Sequence, residues 1–313
     1  MLKFMKKIPG GLLLIPMLIS ALVNTFVPGF WGQFGGITAA LFSSKGTNYI
    51  VGLFCFCSAT MLDIKSLGKV LRKQGTLLGL KVLLCFVFSI IFMKVFGLNG
   101  VFGISAIAFT ITICSLNPSM YLALVSEYGE ESDKAAFGLT GLLCVPAFPI
   151  LVISLSQGGT IDWMPIISTV IPIVLGVIVG NLDKDLAKMF SGVLGPLTPF
   201  MGWAFGAGVN LFDAVKAGPQ GVLITLMFYI LMVPIILFVE TKVLKESGIS
   251  TFGISSIAGL SVSIPSILAF SNPELTPYVA SGTAQIAFGV VISSVLTPIL
   301  AQKFAKKKGL VKS

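Results

Sequence analysis

The stretch 114-CSLNPSMY-121 interrupts a long apolar run, with VFGISAIAFTITI before it and LALV after it. Such a run predicts a helix that crosses a membrane. Pro118, however, has no amide hydrogen to donate within a helix, and its ring disfavours helical geometry at Asn117. The stretch therefore predicts a broken helix at a depth where water does not reach the backbone.

The composition indicates a chain that crosses the membrane many times. Of its 313 residues, 55% are hydrophobic and only 11% are charged, which is typical of a polytopic membrane protein. A spanning helix needs about 20 mostly apolar residues. By that measure the predicted fold is all-α, with ten transmembrane helices at residues 9–27, 47–64, 75–96, 101–128, 135–156, 163–181, 197–215, 220–239, 250–272 and 279–301.

The net charge of +9 is unevenly distributed over the loops of such a ten-span chain. With the amino terminus in the cytoplasm, only Lys45, Lys94 and Lys216 lie outside, and Lys81 lies within a span. All other basic residues then lie inside, as the positive-inside rule requires. We therefore expect both termini to be cytoplasmic and expect the basic charge to reflect the lipid bilayer, with no nucleic-acid partner.

An internal repeat predicts how these helices are arranged. The heptapeptides 102-FGISAIA-108 and 252-FGISSIA-258 agree at six of seven positions, 150 residues apart, and QGTLL at 74 resembles QGVLI at 220. Each copy, 1–158 and 159–313, contains five predicted spans, so the second copy enters the membrane inverted. Inverted repeats are typical of transporters that alternate between two conformations, although channels and membrane enzymes also contain repeats.

The repeat pairs the break in helix 4 with a second one in helix 9, at Pro265 in 260-LSVSIPSILAF-270. Broken helices at mid-membrane depth survive only where protein or a water-filled cavity surrounds them, and their half-helix amino termini attract anions. The predicted substrate-binding side chains are the hydroxyl and amide groups around the two breaks, namely Ser115, Asn117, Ser119, Tyr121, Ser261, Ser263 and Ser266. The alternative is that Pro118 and Pro265 only kink packed helices while the serines bond to their own helix.

Charged residues near the membrane core suggest a second set of candidates. Lys81 lies about six residues into the third span, which makes it either a functional charge or a side chain that extends to the membrane surface. Asp63 and Asp213 are the acidic pair related by the repeat and the best candidates for a coupling role. The sequence places every other carboxylate in a loop or at the end of a span, so we expect none to be buried.

Several other function classes lack the residues that they need. The sequence contains no histidine, no HExxH motif and no GxxxxGK phosphate-binding loop, which argues against a membrane-embedded hydrolase, a metal site and a primary pump. We predict that the chain is not an enzyme and uses no cofactor. The five cysteines lie in apolar spans and are expected to be free thiols.

Four segments resemble the bacterial 2-keto-3-deoxygluconate permeases, namely IPGGLLLIP at 8–16, VLRKQGTLLGLK at 70–81, NPSMY at 117–121 and GNLDKDL at 180–186. The resemblance implies a multi-pass inner-membrane symporter that imports a sugar-acid anion with protons, and a fold like that of bile acid/sodium symporters. In that fold spans 1, 2, 6 and 7 form a panel, while spans 3–5 and 8–10 form a core with crossed helices 4 and 9.

The resemblance is incomplete at two acidic positions. Where the resembled family has an aspartate and a glutamate, this chain has Cys114 and Leu143. The leading hypothesis is alternating-access import of 2-keto-3-deoxygluconate, or a related sugar-acid or keto-acid anion, with protons. The alternatives are a sodium-coupled carrier of another organic anion, because broken helices free carbonyls that can bind sodium, and a channel.

Overall fold

The computed structural model describes residues 2–7, 11–62, 64–129, 133, 140–141, 143–157, 163–207 and 210–310. Its regular structure within these ranges is helical, and the one β feature there is a bridge between Val101 and Ile104. The α-helices of the described ranges are α1 Leu2–Lys7, α2 Gly11–Phe26, α3 Gly36–Phe42, α4 Thr47–Ala59, α5 Ile64–Phe96, α6 Ala106–Cys114, α7 Pro118–Tyr128, α8 Ala147–Ser156, α9 Trp163–Leu182, α10 Lys184–Gly192, α11 Leu194–Gly206, α12 Leu211–Phe238, α13 Ile249–Ile254, α14 Ile264–Ser271 and α15 Val279–Lys308.

The helices agree with an all-α membrane protein. Each of the ten predicted spans contains helix in the described residues. Four stretches are long and apolar enough to cross a membrane, namely Gly75–Phe96, Val215–Val243, Ile249–Phe270 and Pro273–Lys308. Other apolar helices are shorter, such as the 13-residue α4, and the count of ten spans stays a prediction.

The first predicted break is confirmed. Helix α6 ends at Cys114 and α7 begins at Pro118, with extended backbone at Ser115. Pro118 is thus the first residue of a helix, where a missing amide hydrogen leaves no hydrogen bond unmade. The chain leaves helical geometry before the proline, as the restriction on the preceding residue requires.

The second break is displaced from its predicted position. It lies at 255–258, between α13 and a 3₁₀ turn at Gly259–Ser263, and the break predicted at Pro265 is wrong. Pro265 lies in the first turn of α14, which tolerates proline. Here serines end the helix, since the Ser255 amide donates to the Phe252 carbonyl and the Ser256 hydroxyl donates to the Gly253 carbonyl.

The two matching heptapeptides, 102–108 and 252–258, have different local structures, which explains the misplaced second break. In the first heptapeptide, Phe102 and Gly103 form a turn before α6. In the second, the chain at 252–254 ends α13 and 255–258 is the break itself. Matching letters therefore occupy different structural settings. The division into two inverted copies, 1–158 and 159–313, stays a prediction.

Two helix pairs pack through glycines spaced four residues apart. Helix α11 lies against α2 at Gly202 and Gly206, and α9 lies against α4 at Gly176 and Gly180. A Cβ atom at Gly206 would lie 2.0 Å from the Met17 carbonyl oxygen, and a Cβ atom at each of the other three glycines would lie 2.0–2.3 Å from a backbone oxygen. Small residues at this spacing let membrane helices approach each other closely. We call α2, α4, α9 and α11 the glycine-packed group.

The remaining long helices form a second group around the two breaks. Helix α6 packs on α5, α12 and α15, while α7 packs on α13. Residues of α6 are buried along its whole length, as expected of a short helix enclosed by longer ones. We call α5 to α8 with α12 to α15 the crossing group. Its core includes Phe92 stacked on Phe109 with ring centroids 4.0 Å apart.

We expect Gly206→Ala to lower the free energy of unfolding by about 1–3 kcal/mol, because the new methyl group must push α11 away from α2. Thermal unfolding of the purified protein in detergent measures the effect. The matched control is Gly52→Ala in α4, where a Cβ atom would have no neighbour within 4 Å. Equal melting temperatures for the two variants would contradict the glycine-mediated packing.

Candidate functional site

The two breaks meet at a pair of serines. The Ser115 and Ser261 hydroxyl oxygens lie 2.7 Å apart, and the Ser115 hydroxyl also accepts a hydrogen bond of 2.7 Å from the Ala258 amide. The Asn117 amide donates to the Ser256 hydroxyl at 3.3 Å. Polar groups freed by each break are therefore satisfied by the other segment, which is how irregular backbone persists inside a membrane protein.

Lys81, in α5, forms hydrogen bonds with both of the broken helices. Its ammonium donates hydrogen bonds of 2.8 Å to the carbonyls of Ser115 and Ile254 and lies 5.2 Å from the centre of the Phe228 ring. The side chain is fully buried, so the alternative that it extends to the membrane surface is wrong. Among the described residues its partners include no carboxylate.

Lys81 thereby stabilises the carboxyl ends of both half-helices. Ser115 is the residue that caps α6, and Ile254 is the last residue of α13. The last carbonyls of a helix have no partner within it and carry partial negative charge. One buried ammonium therefore satisfies both helix ends and holds them together.

Asn117 faces a cavity of about 620 Å³ between the two helix groups. Its side-chain oxygen accepts from the Met120 amide at 3.3 Å and so caps the amino end of α7. The cavity wall is mostly apolar and includes the hydroxyl side chains of Ser58, Thr198 and Ser294. Its volume is within the range of about 300–1,000 Å³ usual for small-molecule sites.

Among the other predicted binding residues, those with described side chains lie outside the lining of this cavity, namely Ser115, Tyr121, Ser261, Ser263 and Ser266. Ser115 and Ser261 bind each other, and the Ser263 hydroxyl donates to the Leu260 carbonyl of its own 3₁₀ turn at 2.7 Å. Ser266 is half-buried in α14. Of the predicted residues with described side chains, Asn117 and Pro118 line the cavity.

Tyr121, in the first turn of α7, connects that helix to α13. It is buried, and its hydroxyl donates to the Asp133 backbone carbonyl at 2.7 Å. Its ring lies so close to Gly253 that a Cβ atom there would be 2.5 Å from the ring. Tyr121 therefore packs and positions α7 in this conformation.

The side chains of three predicted residues lie outside the described part of the structure. Asp63 lies outside the described residues. The backbone of Asp213 belongs to α12 and that of Ser119 belongs to α7, but both side chains lie outside the described part. Their predicted roles stay predictions.

Two buried carboxylates were not expected from the sequence. Glu240 is fully buried in a π-helical segment, Val239–Val243, and it accepts from the amides of Gly248, Ser250 and Thr251. Asp133 is also buried and accepts from the Ser250 hydroxyl at 3.3 Å. The expectation that no carboxylate is buried is therefore wrong. The amides that donate to Glu240 lie at the amino end of α13. This pairing depends on the fold, and no local sequence pattern indicates it.

The chain is similar to known proteins along almost its whole length. The family profile described as 2-keto-3-deoxygluconate permease matches residues 2–310. The chain is 33% identical to the 2-keto-3-deoxygluconate permease of Bacillus subtilis (strain 168), covering 97% of this chain and 92% of the relative. It is 30% identical to 2-keto-3-deoxygluconate permease 1 of Salmonella typhimurium, covering 98% and 96%.

We expect Ser115→Ala to lower the free energy of unfolding by about 1–3 kcal/mol, because the buried Ala258 amide loses its acceptor. The melting temperature in detergent is the measurement. Ser154→Ala is the matched control, since that hydroxyl only donates to the Ile150 carbonyl within its own helix. If both variants melt together, the contact between the two breaks does not stabilise the protein.

Proposed function

Because the chain belongs to the 2-keto-3-deoxygluconate permease family, we propose that it imports 2-keto-3-deoxygluconate by secondary active transport. The observation that carries this proposal is Asn117, which lies at a helix break and faces a cavity between two helix groups. A site at such an interface changes its exposure when one group moves against the other. As a member of a permease family, the protein is a transporter and not an enzyme.

The cavity suits a small hydroxylated anion. The amino end of α7 points toward it at Pro118, and helix amino ends favour a carboxylate. The hydroxyls of Ser58, Thr198 and Ser294 each donate to a carbonyl of their own helix, and their oxygens can accept hydrogen bonds from sugar hydroxyls. The mostly apolar wall lowers the local dielectric constant, which strengthens these polar contacts. Buried behind the break, the Lys81 ammonium adds positive charge near the site.

The contacts support different roles for the two helix groups, in which one stays fixed and the other moves. The glycine-packed group is held by backbone contacts that leave little freedom, and it corresponds to the predicted panel of spans 1, 2, 6 and 7. The crossing group corresponds to the predicted core of spans 3–5 and 8–10. Alternating access would follow if the crossing group moved as a body against the panel. The charge distribution supports an inner-membrane protein with both termini in the cytoplasm.

Buried carboxylates support proton coupling over the sodium alternative. Ser250 bridges Glu240 and Asp133, since its amide donates to the first at 3.1 Å and its hydroxyl donates to the second at 3.3 Å. Buried carboxylates form the proton relays of many membrane transporters, whereas sodium coupling through freed carbonyls would not need them. The Tyr121 hydroxyl donates to the Asp133 backbone carbonyl, which joins the backbone of Asp133 to α7, the helix that begins directly after Asn117.

Uptake of 2-keto-3-deoxygluconate into proteoliposomes tests the coupling. We expect accumulation when the outside is more acidic, and we expect a protonophore to abolish it. An inward sodium gradient at equal pH should give no accumulation. Accumulation driven by sodium alone would support the alternative carrier, and conductance far above carrier turnover would indicate a channel. No accumulation under either gradient would contradict secondary active transport.

Asn117→Ala should raise the KM for this uptake about 10-fold or more, because a hydrogen bond to a charged ligand contributes about 1.5–3 kcal/mol. Insertion into the membrane should be unchanged. The matched control is Asn99→Ala, since Asn99 accepts from the exposed Tyr278 hydroxyl and lies outside the cavity lining. An unchanged KM in Asn117→Ala would move the substrate site away from the first break.

A further inference from the structure

We propose that the Lys81 ammonium is a resident cation, which occupies a monovalent-cation site formed by the carboxyl ends of α6 and α13. Unwound backbone and half-helix carboxyl ends are the groups that coordinate sodium in transporters with broken helices. Here the carbonyls of Ser115 and Ile254 both accept from Nζ at 2.8 Å. The chain thereby supplies its own cation at the place where an ion would otherwise bind.

The burial of the ammonium supports this role over simple packing. A charged group enclosed without an opposing carboxylate is costly unless oxygen atoms replace its water shell. Lys81 has two carbonyl oxygens and the face of Phe228. The Sγ atom of Cys85, one turn further along α5, donates to the Ile113 carbonyl at 3.4 Å, so the free carbonyls of α6 are shared between neighbouring side chains of one helix.

Two further oxygens in the same segments have the chemistry of cation ligands. Within the described residues, the Ser255 and Thr112 hydroxyl oxygens are buried and have no hydrogen-bond partner. Ser255 follows Ile254 directly, and Thr112 lies in the last turn of α6. Each lies within three residues along the chain of a carbonyl that accepts from Lys81, so each is a further oxygen that could bind a small cation if the lysine head were removed.

Thermal stability of the purified protein, without substrate, tests the inference. Each protein is melted in sodium, ammonium or choline chloride at equal ionic strength, choline being too large for the site. The wild type should melt at the same temperature in all three salts. Lys81→Ala should melt about 5 °C or more below wild type in choline. Its melting temperature should rise with the concentration of sodium or ammonium, because a ligand that binds only the folded protein stabilises it.

Two variants serve as controls. Lys81→Met fills the space without a charge, so it should be destabilised and insensitive to the choice of cation. Lys94→Ala removes an exposed lysine from the same helix and should behave as wild type. The proposal would be overturned if sodium stabilised the wild type, or if small cations stabilised Lys81→Met as much as Lys81→Ala. It would also be overturned if no small cation stabilised Lys81→Ala, or if that variant could not be recovered in sodium.

This inference concerns the coupling ion of the proposed transporter, but its test uses no substrate. A failed cation rescue would leave the uptake experiments untouched. Loss of uptake in wild-type proteoliposomes would leave the melting experiments untouched. The two proposals can therefore fail separately.

Discussion

A buried backbone that stops being helical must find new partners for its amides and carbonyls, and the rest of this structure depends on how that is done. The chain breaks two helices in the same region and lets them satisfy each other. The Ser115 hydroxyl accepts a hydrogen bond from the Ala258 amide, and the Lys81 ammonium donates to the carbonyls of Ser115 and Ile254. Since these groups are buried away from water, each contact secures both segments. The crossing is therefore a unit that cannot lose one half without exposing the other.

Helix α13 illustrates how much such a unit must contribute. With six residues it is too short to be stable alone. Glu240 accepts from amides at its amino end, and Lys81 donates to the last carbonyl at its carboxyl end. This arrangement places acceptors at the end of the helix where amides lack partners and a donor at the end where carbonyls lack them. Two distant side chains thus maintain a helix that its own sequence does not.

The sequence predicted features with a local cause and missed those with a distant one. The break before Pro118 follows from the geometry of its neighbour, so it could be read directly. The break at 255–258 has no proline, and it depends on serine hydroxyls and on a lysine more than 170 positions away. Pro265 misled because a proline also fits the first turn of a helix. Glu240 was placed at a span end, although the π-helical segment keeps it inside.

The candidate site follows the same pattern. Asn117 was predicted from its place at the break and lines the cavity, but Ser58 and Thr198 come from helices that no local pattern links to it. Gly176 with Gly180 and Gly202 with Gly206 have the spacing of packed membrane helices, while their partners Phe56, Thr60, Leu13 and Met17 can be known only from the fold. A substrate at Asn117 would bind at the first turn of α7. Because Tyr121 joins that helix to α13 and Lys81 joins α13 to α6, a shift of any one half-helix has to be accommodated by the other two.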